Sequence, residues 1–247
     1  MVDITLVLLY NRVASSNMKM GNQQKVGAVI VAAGSSQRMG GVDKVLALLG
    51  GKSVLARVID VFQGCNLIDQ IVVVLSEQNL ERGQQLVTEQ GWSKVTNVCL
   101  GGEWRQDSVV AGLSQLSHCH WVVIHDGARP LLTEDLIYRG LTEAKETGAA
   151  AAAVPVTDTI KLAGDDRIVH QTPPRQNLWA VQTPQVFRFD IIAEAYRQAK
   201  AEVTDDASLV EQLGYRVKLY MGSYDNIKIT TPDDLVLAEV LCQKHGK

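Results

Sequence analysis

The sequence predicts an α/β fold: a mostly parallel, twisted sheet with helices on both faces. Three observations predict it. Apolar runs of strand length alternate with stretches whose apolar residues recur at the helical period. The first run, Val26 to Ala32, is apolar throughout, as a strand buried on both faces requires. Several of the runs lead into loops of small or acidic residues, at Gly34, Gly101-Gly102 and Asp126-Gly127, where a helix has to begin.

The elements follow in order. After the first strand, Ser53 to Gln63 reads as a helix, because Val54, Leu55, Val58, Ile59 and Phe62 share one face. Ile71 to Leu75 is a second buried strand, Gln78 to Gln90 a weaker helix, and Val95 to Leu100 a third strand that stops at Gly101-Gly102. Asp107 to Leu116 is helical. Trp121 to His125 is a strand that runs into Asp126-Gly127-Ala128-Arg129-Pro130. Thr133 to Thr147 is a helix with Thr133, Glu134 and Asp135 in its first turn, a capped and dipole-matched start. Ala149 to Val156 is a further strand. From Thr157 to Gln185 the helical period is absent, and Pro173, Pro174 and Pro184 interrupt the run. Two β-like stretches, Thr159 to Leu162 and Arg167 to His170, flank Gly164-Asp165-Asp166, which predicts a hairpin arm projecting from the sheet. An unsupported hairpin is marginal in water, so this arm is expected to pack on a second subunit or over a site. Helices near Asp190 to Lys200 and Asp205 to Leu213, strands at Arg216 to Tyr220 and Ile227 to Ile229, and a last helix with Thr231 as N-cap and Pro232 at its first position complete a Rossmann-like chain.

Composition narrows the function. The chain has 247 residues and a formal net charge of −3, so no broad basic field speaks for nucleic acid. No apolar stretch is long enough to span a membrane. Residues 1–24 are expected to be an extension outside the fold, with residues 25–247 a single domain. Cys65, Cys99, Cys119 and Cys242 lack metal or disulfide spacing and read as reduced thiols of a cytoplasmic protein. His118 and His120 have no second ligand cluster and read as a polar lead-in to the next strand.

Chemistry concentrates in the loops that leave the strands. In Ala32-Ala33-Gly34-Ser35-Ser36-Gln37-Arg38-Met39-Gly40, small residues let a ligand approach the backbone, whose N–H groups can cradle phosphates. Arg38 and Lys44 add positive charge there. Neither the dinucleotide fingerprint nor the P-loop pattern is present. A nucleoside triphosphate site of another kind and a plain strand-to-helix turn both fit this loop taken alone. The loops at Gly101 to Ser108, Asp126 to Pro130 and Asp225 to Lys228 bring further cations and carboxylates to the same rim. Ligands bind beyond the carboxyl ends of strands in open parallel sheets.

Taken in order, Ala32-Ala33-Gly34 with Arg38-Met39-Gly40 and Lys44, Gly101-Gly102-Glu103-Trp104-Arg105-Gln106-Asp107-Ser108-Val109, His125 to Pro130, Thr157-Asp158-Thr159, Arg175 with Leu178-Trp179, Gln182 to Gln185, Thr204 to Ser208 and Asp225 to Thr230 resemble the 2-C-methyl-D-erythritol 4-phosphate cytidylyltransferase family. Ser36, Val45 and Gly127 depart from its pattern without removing a charge. The resemblance implies a nucleotide-diphospho-sugar transferase-like fold and transfer of CMP from CTP to methylerythritol phosphate, with pyrophosphate released, on the deoxyxylulose phosphate route to isoprenoids. It implies Arg38, Lys44, Arg175 and Lys228 as catalytic residues. Ala32, Ala33, Gly34, Gly102, Ser108 and Asp126 would bind the nucleotide. Arg129, Thr159, Thr183 and Asp225 would bind the polyol phosphate, whose site Asp126 would also line. It also implies Mg²⁺ as cofactor, held mainly by the CTP phosphates with no metal ligands from the protein. The arm at about 157–185 would reach into a partner, giving a homodimer with shared active sites. Ribitol 5-phosphate as the acceptor, a sugar or molybdopterin nucleotidyltransferase, and a catalytically inactive nucleotide-binding module on the same fold are the competing readings.

Overall fold

The computed structural model describes residues 24–34, 39, 43–199 and 203–244. Strand β1 (Val26–Ala32) is followed by a short hairpin, β2 (Leu48–Leu49) and β3 (Lys52–Ser53). Then come α1 (Val54–Gly64), β4 (Gln70–Leu75), α2 (Glu77–Gln90), β5 (Val95–Leu100), α3 (Arg105–Gln115), β6 (Trp121–Asp126), α4 (Glu134–Thr147) and β7 (Ala149–Pro155). The arm carries β8 (Leu162–Ala163), β9 (Val169–Gln171) and a single 3-10 turn (Arg175–Asn177). The chain returns through β10 (Trp179–Arg188), α5 (Phe189–Gln198), α6 (Asp206–Gln212), β11 (Lys218–Met221) and α7 (Pro232–Lys244).

Seven strands form one sheet in the order β11-β7-β10-β6-β1-β4-β5. Every neighbouring pair is parallel except those of β10, which runs antiparallel to both β6 and β7. Alternation along β1 splits the core in two. Ala28 and Ile30 face α1, α2 and α4, while Val29 faces α3, α5 and α6. A third, smaller cluster of Met39, Leu49, Leu131, Ile229, Ala238 and Cys242 seats α7. Strand β7 is nearly all alanine and wholly buried up to Val154. Its short side chains let helices approach the sheet from both sides.

Helix starts follow the expected caps. Ser53 Oγ accepts from Ala56 N at 3.2 Å and Thr133 Oγ1 from Leu136 N at 3.3 Å. Asp205 Oδ1 accepts from Ser208 N at 3.2 Å, and Thr231 Oγ1 from Asp234 N at 3.4 Å.

The structure departs from the sequence expectation in three places. The arm is shorter than 157–185: Trp179–Arg188 is a ten-residue strand inside the main sheet, and Trp179 pairs directly with Pro155. Gln182, Thr183 and Gln185 hide that strand in the sequence because they are polar, and the register shifts around Pro184 between Val181 and Gln185. Ile227 to Ile229 forms no strand; Ile227 N–H donates to the Asp225 carbonyl at 2.9 Å and Ile229 N–H to the Ala128 carbonyl at 2.8 Å. Helix α3 starts at Arg105, two residues early, because the Asp107 carboxylate accepts from Trp104 N at 3.0 Å. The extension expected over residues 1–24 lies outside the described residues except for Gln24, whose side-chain carbonyl accepts the Trp121 indole N–H at 2.9 Å. Among the described residues, no helix is long and apolar enough to cross a membrane.

Candidate active site

Strand order reverses between β1 and β6, and a crevice opens at their carboxyl ends, as it must where crossovers leave in opposite directions. A cleft of about 180 Å³ lies there, walled by Ala33, Gly34, Lys44, Gly102, Ser108 and Asp126 among others. A second cleft of about 440 Å³ adjoins it, walled by Arg129, Gln182, Thr183, Gln185, Asp205 and Ser208. Arg105, Asp126 and Lys228 line both, so these three side chains form the partition.

Asp126 is the centre of that partition. Its Oδ2 meets Lys228 Nζ at 2.9 Å and Arg129 Nε at 3.6 Å, and its Oδ1 meets Arg105 Nε at 3.6 Å. Burial by itself would raise the carboxyl's pKa. The charges of Lys228, Arg105 and Arg129 outweigh it and hold the group far below the usual carboxylate range. Arg105 is in turn fixed by Asp206, which is completely buried. Two parallel bonds of 2.7 Å join them, and the Tyr196 hydroxyl donates to the same carboxylate. Burial lowers the affinity of Arg105 for its proton, but the Asp206 charge reverses this and the guanidinium stays ionised.

The loop after β6 is held by a chain of bonds with a single direction. Asp126 N–H donates to Thr183 Oγ1 at 3.0 Å. The Thr183 hydroxyl lies 3.1 Å from His125 Nδ1, and His125 Nε2 lies 3.2 Å from the Arg129 carbonyl. Since a carbonyl only accepts, we assign the imidazole proton to Nε2, which leaves Nδ1 to accept from Thr183. His125 is fully buried beside Phe62, and burial lowers its pKa to about 4 against the opposing pull of Asp126, so the ring is neutral. Gly127 makes the close approach of this loop to β1 possible: a Cβ there would sit 2.7 Å from that of Ala32.

The segment carrying Lys228 is tied to the same loop. Arg129 donates to the Asn226 carbonyl at 2.7 Å. The fully buried Asn226 side-chain amide donates to the Thr183 carbonyl at 2.8 Å, and Gln182 donates to the Ser223 carbonyl at 2.9 Å. Gln185 bridges β10 to the start of α6, donating to Asp205 at 2.9 Å and accepting from Ala207 N at 3.0 Å. In the first cleft, Ser108 Oγ accepts from Gly102 N at 3.3 Å and donates to the Trp104 carbonyl at 3.2 Å. Lys44 Nζ lies 3.5 Å from where a Cβ on Gly34 would be.

Most of the residues expected from the sequence converge here. Ala32, Ala33, Gly34, Lys44, Gly102, Ser108, Asp126 and Lys228 line the first cleft, and Arg129 and Thr183 line the second with Asp126 and Lys228. Three others do not reach the clefts of their own chain. Arg175 is exposed on the arm and donates to the Thr157 carbonyl at 2.6 Å, Thr159 is exposed on the same arm, and Asp225 pairs with Lys244 at 3.3 Å. Arg38 lies outside the described residues. Sequence reasoning assigned no role to Arg105, Asp206, His125 or Gln185. Arg105 and Asp206 stood inside the family-like segments, but nothing local marks two residues 101 apart as a pair.

A family model described as IspD: 2-C-methyl-D-erythritol 4-phosphate cytidylyltransferase matches residues 26–244. The 2-C-methyl-D-erythritol 4-phosphate cytidylyltransferase of Dehalococcoides mccartyi strain 195 is 56% identical over 221 residues, covering 90% of this chain and 97% of the relative. That of Alkaliphilus oremlandii is 46% identical over 226 residues, covering 89% and 96%. Among solved structures, the 4-diphosphocytidyl-2C-methyl-D-erythritol synthase of Anaerococcus prevotii superposes with a TM-score of 0.79 at 29% identity, covering 90% of this chain and all of that one. The 2-C-methyl-D-erythritol 4-phosphate cytidylyltransferase of Thermus thermophilus superposes with a TM-score of 0.73 at 32% identity, covering 89% of this chain and all of its own. With the switch-point clefts, the ordered loops and these matches in agreement, the chain belongs to the 2-C-methyl-D-erythritol 4-phosphate cytidylyltransferase family.

Proposed function

We propose that the smaller cleft binds CTP, that the larger one binds 2-C-methyl-D-erythritol 4-phosphate, and that reaction occurs at the partition between them. The chain transfers CMP from CTP to the polyol phosphate, giving 4-diphosphocytidyl-2-C-methyl-D-erythritol and pyrophosphate in isoprenoid biosynthesis. The observation that carries the residue-level reading is the shared wall of Arg105, Asp126 and Lys228. A donor and an acceptor seated on either side of one wall can meet without either leaving its site.

The chemistry asks for electrostatics more than for proton transfer. A phosphate monoester, with a second pKa of about 6, is largely dianionic at neutral pH and needs no base to become a nucleophile. One of its oxygens forms a bond to the α-phosphorus of CTP, and the bond from that phosphorus to the bridging oxygen of pyrophosphate breaks. Two anions must approach, and charge grows on the leaving group. Cations fixed in advance lower that barrier without reorganising during the step. Lys44, beside the Gly34 backbone, suits the triphosphate and its leaving end, with Arg38 assigned to the same task. Lys228 suits the acceptor phosphate, because Asp126 holds its ammonium at the partition.

Mg²⁺ fits this site as an ion carried by the triphosphate. The Asp126 carboxylate is engaged by three cations, which favours phosphate oxygens as the ion's main ligands. Bound with the nucleotide, the ion would neutralise phosphate charge that Lys44 and Arg38 leave uncovered.

The arm supports a homodimer with shared sites. Arg175 and Thr159 point to a role away from their own clefts, and Leu162, Ile168 and Val169 stand exposed around the hairpin. We assign Arg175 to the acceptor phosphate in the partner's site. The four thiols are free, and burial pushes Cys119 up to about 12, in keeping with a reducing cytoplasm.

The test is pyrophosphate release with CTP and either methylerythritol phosphate or ribitol 5-phosphate. Turnover with the first, a marked preference for it over the second, and loss of activity in EDTA are expected. Preference for ribitol 5-phosphate overturns the acceptor assignment, equal use of ATP overturns the nucleotide assignment, and full activity in EDTA overturns the metal requirement.

A further inference from the structure

The four tryptophans of the chain are at residues 92, 104, 121 and 179. Trp92 and Trp121 are buried, and their indole N–H groups donate to Asp60 and Gln24, both at 2.9 Å. Trp179 is partly exposed where the arm rejoins the sheet. Trp104 is different. It is 52% exposed, belongs to none of the apolar clusters, and its indole N–H has no acceptor among the described residues. Yet its backbone is held in three places. Its N–H donates to Asp107 Oδ2 at 3.0 Å, and its carbonyl accepts from both Ser108 N and Ser108 Oγ at 3.2 Å. It lines the smaller cleft, together with Ala33, Gly34, Gly102 and Ser108.

Those four companions are small. The backbone approach beneath them is close: a Cβ on Gly101 would lie 2.4 Å from the Ala33 Cβ and 2.6 Å from Ser108 Oγ. Alanine and glycine at such an approach bring backbone groups to the cleft wall and offer little side-chain surface of their own to hold a ring. Among the described residues that line the cleft, the indole is the one aromatic surface. An aromatic ring left half in water gives up part of the burial that normally stabilises it. The loss is recovered when a second flat ring covers it.

We propose that Trp104 stacks on the cytosine ring of CTP and supplies much of the affinity for the base, while backbone groups around Gly102 and the Ser108 side chain read its edge. The inference rests on the CTP assignment above and adds a division of labour to it. Stacking is tolerant of base identity, because every base has a π-face, whereas edge hydrogen bonds are not. Removing the indole therefore weakens all nucleotides alike and leaves selectivity intact.

The experiment is steady-state pyrophosphate release at saturating acceptor, with CTP or UTP varied, for wild type, Trp104→Ala and Trp104→Phe. Circular dichroism checks that all three fold, which an exposed side chain at a helix start permits. Trp104→Ala should raise KM for CTP by about fivefold to a hundredfold, the range for loss of one base-stacking contact. That loss should fall on KM and not on kcat, the CTP-over-UTP ratio of kcat/KM should stay where it was, and KM for the acceptor should not move. Trp104→Phe should restore most of the affinity. In direct titration, CTP should quench wild-type tryptophan fluorescence more than that of Trp104→Phe. An unchanged KM for CTP in Trp104→Ala overturns the proposal. So does a collapse of the CTP-over-UTP ratio, which would assign Trp104 to edge reading. If wild type itself neither binds nor turns over CTP, the nucleotide assignment fails first and this inference falls with it.

Discussion

The loop His125–Arg129 and the arm between Pro155 and Trp179 supply different parts of one proposed site, and they are built by opposite means. In the loop, each functional group is locked by others. Asp126 meets three cations, and its N–H begins a bond chain through Thr183 and His125 that ends on the Arg129 carbonyl. In the arm, Lys161 donates to Thr172 at 2.8 Å, Arg175 donates to the Thr157 carbonyl, and the apolar side chains face outward. The loop is organised by its own chain, as preorganised electrostatics requires. The arm, in the proposed dimer, would be organised by a second chain. The difference teaches which lesions should damage folding and which should damage only assembly and turnover.

The largest effect is expected where the locked half is anchored. Asp206→Ala leaves Arg105 buried without its bidentate partner, and breaking a buried pair in this way costs about 3–5 kcal/mol. Denaturant unfolding of the monomeric species should show that loss. A change below about 1 kcal/mol would mean that the partition is not held from α6.

The arm is probed by complementation. Lys44→Ala and Arg175→Ala should each lose about 10²–10³ in kcat, as expected for removing one preorganised charge. If Arg175 serves the partner's site, mixing the two inactive proteins restores activity, because one site of each mixed dimer carries neither lesion. Differently tagged chains show whether subunits exchange. Exchange without recovery would return Arg175 to its own chain and erase the contrast between the two regions.

The most conditional effect, seen only as pH falls, is a pH dependence confined to the locked half. His125 is held neutral with a pKa of about 4, below its unfolded value of about 6.5, so the unfolded chain binds the extra proton first as pH falls. Stability is then full above about pH 6.5 and declines towards pH 4, by roughly 3 kcal/mol if the imidazole stays buried. Thermal melts of wild type and His125→Gln across that window should differ in slope. Parallel curves would show that His125 is not the group responsible.

How much of this was legible in the sequence follows the same divide. Strands β1 and β6 and helix α4 were readable because burial on both faces demands unbroken apolar runs, and because Thr133 and the acidic first turn mark a helix start. Strand β10 was not. Its Gln182, Thr183 and Gln185 look like loop residues, and only the assembled fold shows that Ser223, Asn226, His125 and Asp205 satisfy them. Within the site, Lys44, Asp126 and Lys228 were legible as charges on strand-end loops. Arg105 was not, since its meaning depends on an aspartate that comes near only through packing of α6. Satisfied polar groups in an interior are signals of tertiary structure, and no window of sequence contains them.

Strand β10 has one more consequence. Because it runs against β7, the chain leaves the sheet after Pro155 and re-enters at Trp179 at the same edge, and those two residues are paired in register. The arm is thus a closed excursion: its length and sequence can change without moving any strand of the sheet or any bond around Asp126. The fold keeps both clefts constant and leaves the arm free to be rewritten, a layout in which whatever the arm would lend to a neighbouring chain can change by exchange of one segment.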